Sequence, residues 1–133
     1  MRSTFIPKLA IALFVSAAQA EENLVPTLDK QFDVCVDRPL QPDWVTNIET
    51  TDANKARLIQ QIYRAQSMER IVAADECSCD TRFPTWAAAE ETFFKRFASA
   101  DRNELREAIS EYSRAANELR KTAKPFCEEQ GNW

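Results

Sequence analysis

The chain is 133 residues long, with 17 basic and 21 acidic residues, four cysteines, one glycine and no histidine. The lack of histidine excludes Ser-His-Asp and Cys-His catalytic arrangements, histidine metal sites and c-type haem attachment. The acidic balance disfavours charge-driven binding to nucleic acid or anionic membranes, and the scarcity of glycine disfavours turn-rich sandwiches and barrels.

Arg2 and Lys8 form a positive n-region, Leu9 to Val15 an apolar h-region, and Ala18-Gln19-Ala20 a small-x-small cleavage site. This layout predicts a cleaved signal peptide over 1–20 and a mature chain, 21–133, of one domain. The apolar run falls short of the roughly 20 residues a spanning helix needs, so no stable membrane insertion is expected after cleavage. Without Arg2 and Lys8 the mature chain has 15 basic and 21 acidic residues, a net charge of −6.

Residues 21–50 read as an irregular N-terminal segment. Phe32, Val34 and Val36 alternate around Cys35, consistent with a short strand or a helical turn. Pro39 and Pro42 then keep the backbone extended, and Asp43 could cap a short turn carrying Trp44, Val45 and Ile48. Residues 51–133 read as a helical core. Thr51 or Asp52 can cap a first helix, whose stripe is Leu58, Ile59, Ile62, Ala65, Met68, Ile71 and Val72. That pattern stops near Ala74, ahead of a Cys77-Ser78-Cys79 loop. Pro84 and Thr85 open a second helix with Trp86, Ala89, Phe93 and Phe97 on one face. Asp101 and Glu104 have capping-box spacing for a third helix, carrying Leu105, Ala108, Ile109, Tyr112, Ala116, Leu119 and Ala123. Pro125 is expected to kink or end it. The fold class is therefore all-α: a small three-helix bundle or helical hairpin with an irregular N-terminal segment and two disulfides.

An export signal places the four cysteines where disulfides form. Cys77 and Cys79 are too close in sequence to pair without a strained ring. Two connectivities remain open: Cys35–Cys77 with Cys79–Cys127, or Cys35–Cys79 with Cys77–Cys127. Either closes two loops of roughly 40–50 residues, each worth about 4 kcal/mol in the loop-entropy picture. The rival assignments are a four-thiolate zinc site and a thiol-exchange site. The absent Cys-x-x-Cys spacing disfavours both, so neither metal nor cofactor is expected.

Among side chains that could carry chemistry, Glu90-Glu91, Asp75-Glu76 and Asp80 are candidates for carboxylate-pair hydrolysis. Solvated helix and loop charges are the simpler account, and no enzymatic activity is expected. Trp86, Phe93, Phe94 and Phe97 suit a helical core better than a partner groove, with Phe94 off the main stripe. Phe83 and Trp133 can anchor an interface or cover the disulfides. The candidate partner-binding residues are therefore Phe83, Trp86, Phe94 and Trp133.

Several stretches carry a resemblance: Phe32-Asp33-Val34-Cys35, Pro42-Asp43-Trp44, Cys77-Ser78-Cys79, Thr81-Arg82-Phe83-Pro84-Thr85-Trp86 and the ending Cys127-Glu128-Glu129-Gln130-Gly131-Asn132-Trp133. Together they resemble small exported alphaproteobacterial proteins linked to conjugative, VirB-type type IV secretion gene clusters. The resemblance implies a periplasmic part or helper of a DNA- or protein-transfer apparatus. Taken with the export signal and the lack of catalytic motifs, the expected function is a non-enzymatic periplasmic or secreted accessory protein that binds other secretion or conjugation proteins, and the acidic balance argues against nucleic acid. The resemblance carries no catalytic or ligand residues over. Two alternatives accompany it: an exported inhibitor or immunity-type module acting on a cell-wall hydrolase, and a peptidoglycan-acting enzyme.

Overall fold

The computed structural model describes residues 35–133. The signal peptide, the lead-in from Glu21, and Phe32 and Val34 of the alternating stretch lie outside the described residues. Within them the chain is helical and has no strand. Its elements are α1 (Asp43–Thr46), a 3-10 turn (Thr50–Asp52), α2 (Ala53–Ala74), α3 (Cys79–Arg82), α4 (Ala87–Phe97) and α5 (Arg102–Glu129).

The expected apolar stripe of α2 is real: Leu58, Ile59, Ile62, Ala65 and Ile71 are all buried. Val72 is a departure, at 40% exposed, because it lies beside rather than on the inward row. The start of α2 also departs from expectation. Asp52 occupies the N-cap position but caps no backbone N–H with its side chain. A 3-10 turn feeds the helix directly, and the Asp52 carboxylate pairs with Lys55 at 3.1 Å. The helix ends at Asp75, whose left-handed φ of 53° is one that Asp tolerates better than most residues.

The third predicted helix, α5, starts as its sequence demands. Asp101 Oδ1 accepts from the N–H groups of Asn103 (2.7 Å) and Glu104 (3.0 Å), and Glu104 Oε2 accepts from Asp101 N–H at 2.7 Å. Pro125 does not end α5, which continues to Glu129. Proline removes one N–H from the ladder, but Cys127, two residues on, is buried and cross-linked, and this anchors the last turns.

Leu58 and Ile59 share a core with Leu105, Ala108 and Ile109, while Ile71 packs with Ala123 and Cys127. Midway, Arg64 donates to Asn117 Oδ1 at 2.6 Å. The starts of α2 and α5 therefore lie at one end of the molecule and their finishes at the other, so the two long helices run parallel. A parallel pair needs a return crossing, and α4 supplies it. Its Ala89 and Phe93 join the main core with Val45 of α1. α4 begins at Ala87, three residues after Pro84, because Pro84 and Thr85 remain outside the helix and Trp86 occupies its N-cap.

Candidate interaction surface

The cysteines pair as Cys35–Cys79 and Cys77–Cys127, each with an S–S distance of 2.05 Å. This resolves the two open connectivities in favour of the second. The sulfurs are bonded to each other, so none is available as a thiolate for zinc or for exchange. Cys35, Cys77 and Cys127 are buried, and Cys79 is partly exposed.

The Cys77-Ser78-Cys79 stretch is not an open loop. It begins the one-turn helix α3, which periodicity could not reveal in four residues. The signal was Ser78 three residues before Thr81. Ser78 Oγ accepts from Thr81 N–H at 3.3 Å and lies 3.0 Å from the Thr81 hydroxyl. That turn aims Cys79 toward Cys35 and sets Arg82 and Phe83 on the rim of the disulfide cluster.

The chain after α5 folds over the same cluster. Asn132 N–H donates to Cys127 C=O (2.9 Å) and Gly131 N–H to Glu128 C=O (3.0 Å), the paired bonds of a Schellman ending. Gly131, the sole glycine, takes the left-handed φ of 72° that this ending requires. Asn132 is thereby turned inward. Its Nδ2 donates to Cys77 C=O, and its Oδ1 accepts from Arg82 Nη1 at 3.0 Å. The Cys35 sulfur, which carries no proton, also lies 3.5 Å from Oδ1. Gln130 Oε1 accepts from Cys77 N–H at 3.2 Å. The part Asn132 plays was not legible in the sequence, because it depends on which carbonyls the disulfides bring close.

On the outside of this cluster, guanidinium groups and aromatic rings alternate. Arg38 lies 3.9 Å from the Phe83 ring centroid and Arg82 5.0 Å from it. Arg82 is also 4.9 Å from the Trp133 ring, and Arg120 is 5.4 Å from that ring. All four spacings fall within the range of cation–π attraction, about 6 Å. Arg38 is held in place by its Nε–H bond to Cys35 C=O at 3.2 Å. Burial pushes the Arg82 guanidinium below its ordinary pKa, and the neighbouring Arg38 cation pushes it in the same direction. Burial does the same to Arg38. Phe83 and Trp133 are only partly buried. Trp133 packs against the cluster that holds Cys77 and Cys127, and both rings reach the surface.

The other candidates separate. Trp86 is 9% exposed, stacks on Tyr63 with 3.9 Å between centroids, and its indole N–H donates to Pro39 C=O at 3.3 Å. Its stacked face and its polar handle are both engaged inside the protein, as the core reading expects. Phe94 is 53% exposed and contacts Trp44 (5.3 Å) and Phe93 (5.4 Å).

The carboxylate candidates fall apart as a group. Glu90 Oε1 accepts from the Trp44 indole N–H at 2.8 Å, whereas Glu91, Asp75, Glu76 and Asp80 are exposed. Among the described residues no group of three or more Cys, Asp or Glu is arranged to hold a metal ion. No helix there is long and apolar enough to cross a membrane. An open groove of about 990 Å³ between α2 and α5 mixes Arg57, Arg106 and Arg114 with Glu107 and Glu111. It has no single electrostatic character. Comparison with family models, with curated proteins and with solved structures finds no match to this chain.

Proposed function

We propose that this is a non-enzymatic periplasmic accessory protein of a type IV secretion or conjugal-transfer system, acting by protein–protein binding. The observation that carries the binding part is the ring–guanidinium face on the disulfide cluster. Trp and Arg are the residues most enriched at energetic centres of protein interfaces, and here they are fixed on a cross-linked scaffold. Pre-fixing such side chains reduces the ordering cost of association. Two disulfides in a chain with an export-type N-terminus support a location outside the reducing cytoplasm. The assignment to a secretion or conjugation machine rests on the resemblance of the cysteine and C-terminal motifs.

The test is affinity capture from the periplasm of the source bacterium with a tagged full chain, paired with conjugation frequency in a deletion strain. Co-purification of a secretion component and a conjugation defect are the expected results. Normal conjugation with no such component recovered would overturn this assignment. Titration of the mature protein against cell-wall hydrolases separates it from an inhibitor, and zymography on cell-wall substrate separates it from a hydrolase.

A further inference from the structure

The two bridges interleave: Cys35 joins Cys79 across Cys77, and Cys77 joins Cys127 across Cys79. The rival pairing, Cys35–Cys77 with Cys79–Cys127, only shortens the loops of 44 and 50 residues by two each. That changes the closure probability of either loop by less than about a tenth, so an unfolded chain does not discriminate between the pairings. The folded chain does, through groups far along the sequence. Cys77 N–H donates to Gln130 Oε1 at 3.2 Å and Cys77 C=O accepts from Asn132 Nδ2, partners 53 and 55 residues away. The one-turn helix α3, which starts at Cys79, has four residues, well below the roughly 12–15 at which a helix persists alone. It too takes its form only when packed, with Thr81 buried. A chain made from its N-terminus therefore presents Cys35, Cys77 and Cys79 before the groups that decide their pairing. There are four cysteines and none is free, so a fully oxidised, wrongly paired chain keeps no thiol with which to correct itself.

We propose that this protein is a client of a thiol–disulfide isomerase, which exchanges Cys77 for Cys79 at the bridge to Cys35. A thiolate of the isomerase attacks Cys77 Sγ in the wrong Cys35–Cys77 bridge, forms a mixed disulfide and releases the Cys35 thiolate. Cys35 then attacks Cys79 Sγ in the wrong Cys79–Cys127 bridge, forms Cys35–Cys79 and releases the Cys127 thiolate. Cys127 attacks Cys77 Sγ in the mixed disulfide, forms Cys77–Cys127 and returns the isomerase thiolate. Each step breaks one S–S bond and forms one, so no oxidant or reductant is consumed. Folding then favours the product: Cys35, Cys77 and Cys127 are at most 3% exposed, which withdraws three of the four sulfurs from further attack. The proposal goes beyond the secretion assignment and does not depend on it; it does require the oxidising location.

The test expresses the full chain in the source bacterium and in a strain that lacks its periplasmic thiol–disulfide isomerases but keeps its dithiol oxidase. Thiols are trapped by acid and alkylation, soluble and insoluble protein are pooled, and fragmentation of the linked peptides between Cys77 and Cys79 assigns the pairing. The parent strain should yield one isomer, Cys35–Cys79 with Cys77–Cys127. In the deletion strain the rival isomer should rise to about half, the share that nearly equal loop closure gives. A catalytic amount of purified isomerase should convert that isomer, which alone should persist. The variant Cys35→Ser/Cys79→Ser has one pairing left, so its bridge should form equally in both strains. The same isomer ratio in the two strains overturns the proposal, as does a rival isomer that the isomerase leaves unchanged or a variant bridge that needs the isomerase. Four free thiols in both strains overturn it together with the location outside the cytoplasm. A normal conjugation frequency leaves it standing, because that result bears only on the secretion assignment.

Discussion

Where α2 and α5 begin, Val45, Leu58, Ile59, Ile62, Trp86, Ala89, Phe93, Leu105, Ala108 and Ile109 close into one buried cluster. Where they finish, the corresponding cluster is Ile71, Ala123 and two bonded cysteines, with Met68, Phe126 and Trp133 packed around it. The first end has enough branched and aromatic side chains to hold itself by burial. The second has one large aliphatic side chain that is fully buried, and alanine at the position facing it. Covalent bonds and a network of side chain–backbone hydrogen bonds replace the missing apolar area. The difference shows how a small chain can leave one end poor in hydrophobic residues, and so free to display arginines, without losing that end's structure.

Removing the bridges should have the largest effect. Loops of 44 and 50 residues correspond to about 4 kcal/mol each in the loop-entropy picture. Losing both would consume much of a typical stability of about 5–15 kcal/mol. Thermal melts with and without reductant measure this. Hydrogen exchange under reducing conditions should show residues 120–133 opening before residues 54–64. Simultaneous opening of both regions would mean that the two ends are not separately supported. At the other end, Phe93→Ala should cost about 3–5 kcal/mol, since it empties a site at the centre of the larger cluster. In that variant residues 54–64 should lose protection while the cross-linked end keeps it, the reverse of the reduced protein.

The two ends also differ in how far their sequences disclose them. Leu58, Ile59, Ile62, Leu105, Ala108 and Ile109 repeat at helical steps, and Asp101 with Glu104 announces the start of α5, so the burial-held end was readable. What the stripe could not disclose is that α2 and α5 run parallel, because a stripe marks a buried face and not the direction of what lies against it. Trp86 was readable as core, but its partners were not, because Pro39 and Tyr63 are both distant from it in sequence. At the cross-linked end the spacing of the cysteines excluded one pairing and no more. The choice between the other two depends on α3, a single turn that rotates Cys79 outward toward Cys35 and leaves Cys77 facing α5. The ring–guanidinium face was half-readable. Phe83 and Trp133 stood out as aromatics, but Arg38, Arg82 and Arg120 are scattered over more than 80 positions of sequence and only the folded chain gathers them.

A smaller effect isolates the polar part of the cross-linked end. Asn132→Ala removes the partner of Cys77 C=O and the acceptor for Arg82, leaving partly buried polar groups unsatisfied, at a cost of about 1–3 kcal/mol. Denaturation monitored by Trp fluorescence should register it, and Asn132→Asp should restore the contact to Arg82 but not the donation to Cys77. If Asn132→Ala matches the parent, the disulfides alone hold this end, and the C-terminal turn is only a cover.

The mildest test is titration in alkali, and it reads the other end. The Tyr63 hydroxyl donates to Pro84 C=O at 2.8 Å, and burial raises its pKa above the ordinary value, outweighing the opposing pull of Arg38. Tyr112 is raised for the same reason, partly offset by Arg96. A phenol whose pKa is higher folded than unfolded holds its proton more tightly in the native state. Its contribution is therefore complete below the unfolded value of about 10 and is lost as pH rises through the folded value. Stability should be flat with respect to these groups at neutral pH and should decline above about pH 10. Tyr63→Phe should be slightly less stable at neutral pH, having lost one hydrogen bond, and should show a shallower alkaline decline. Because Tyr63 stacks on Trp86, loss of protection in alkali should begin around Trp86 and α2 rather than at the cysteines. Alkaline opening that began at residues 120–133 would instead place the weaker support at the cross-linked end.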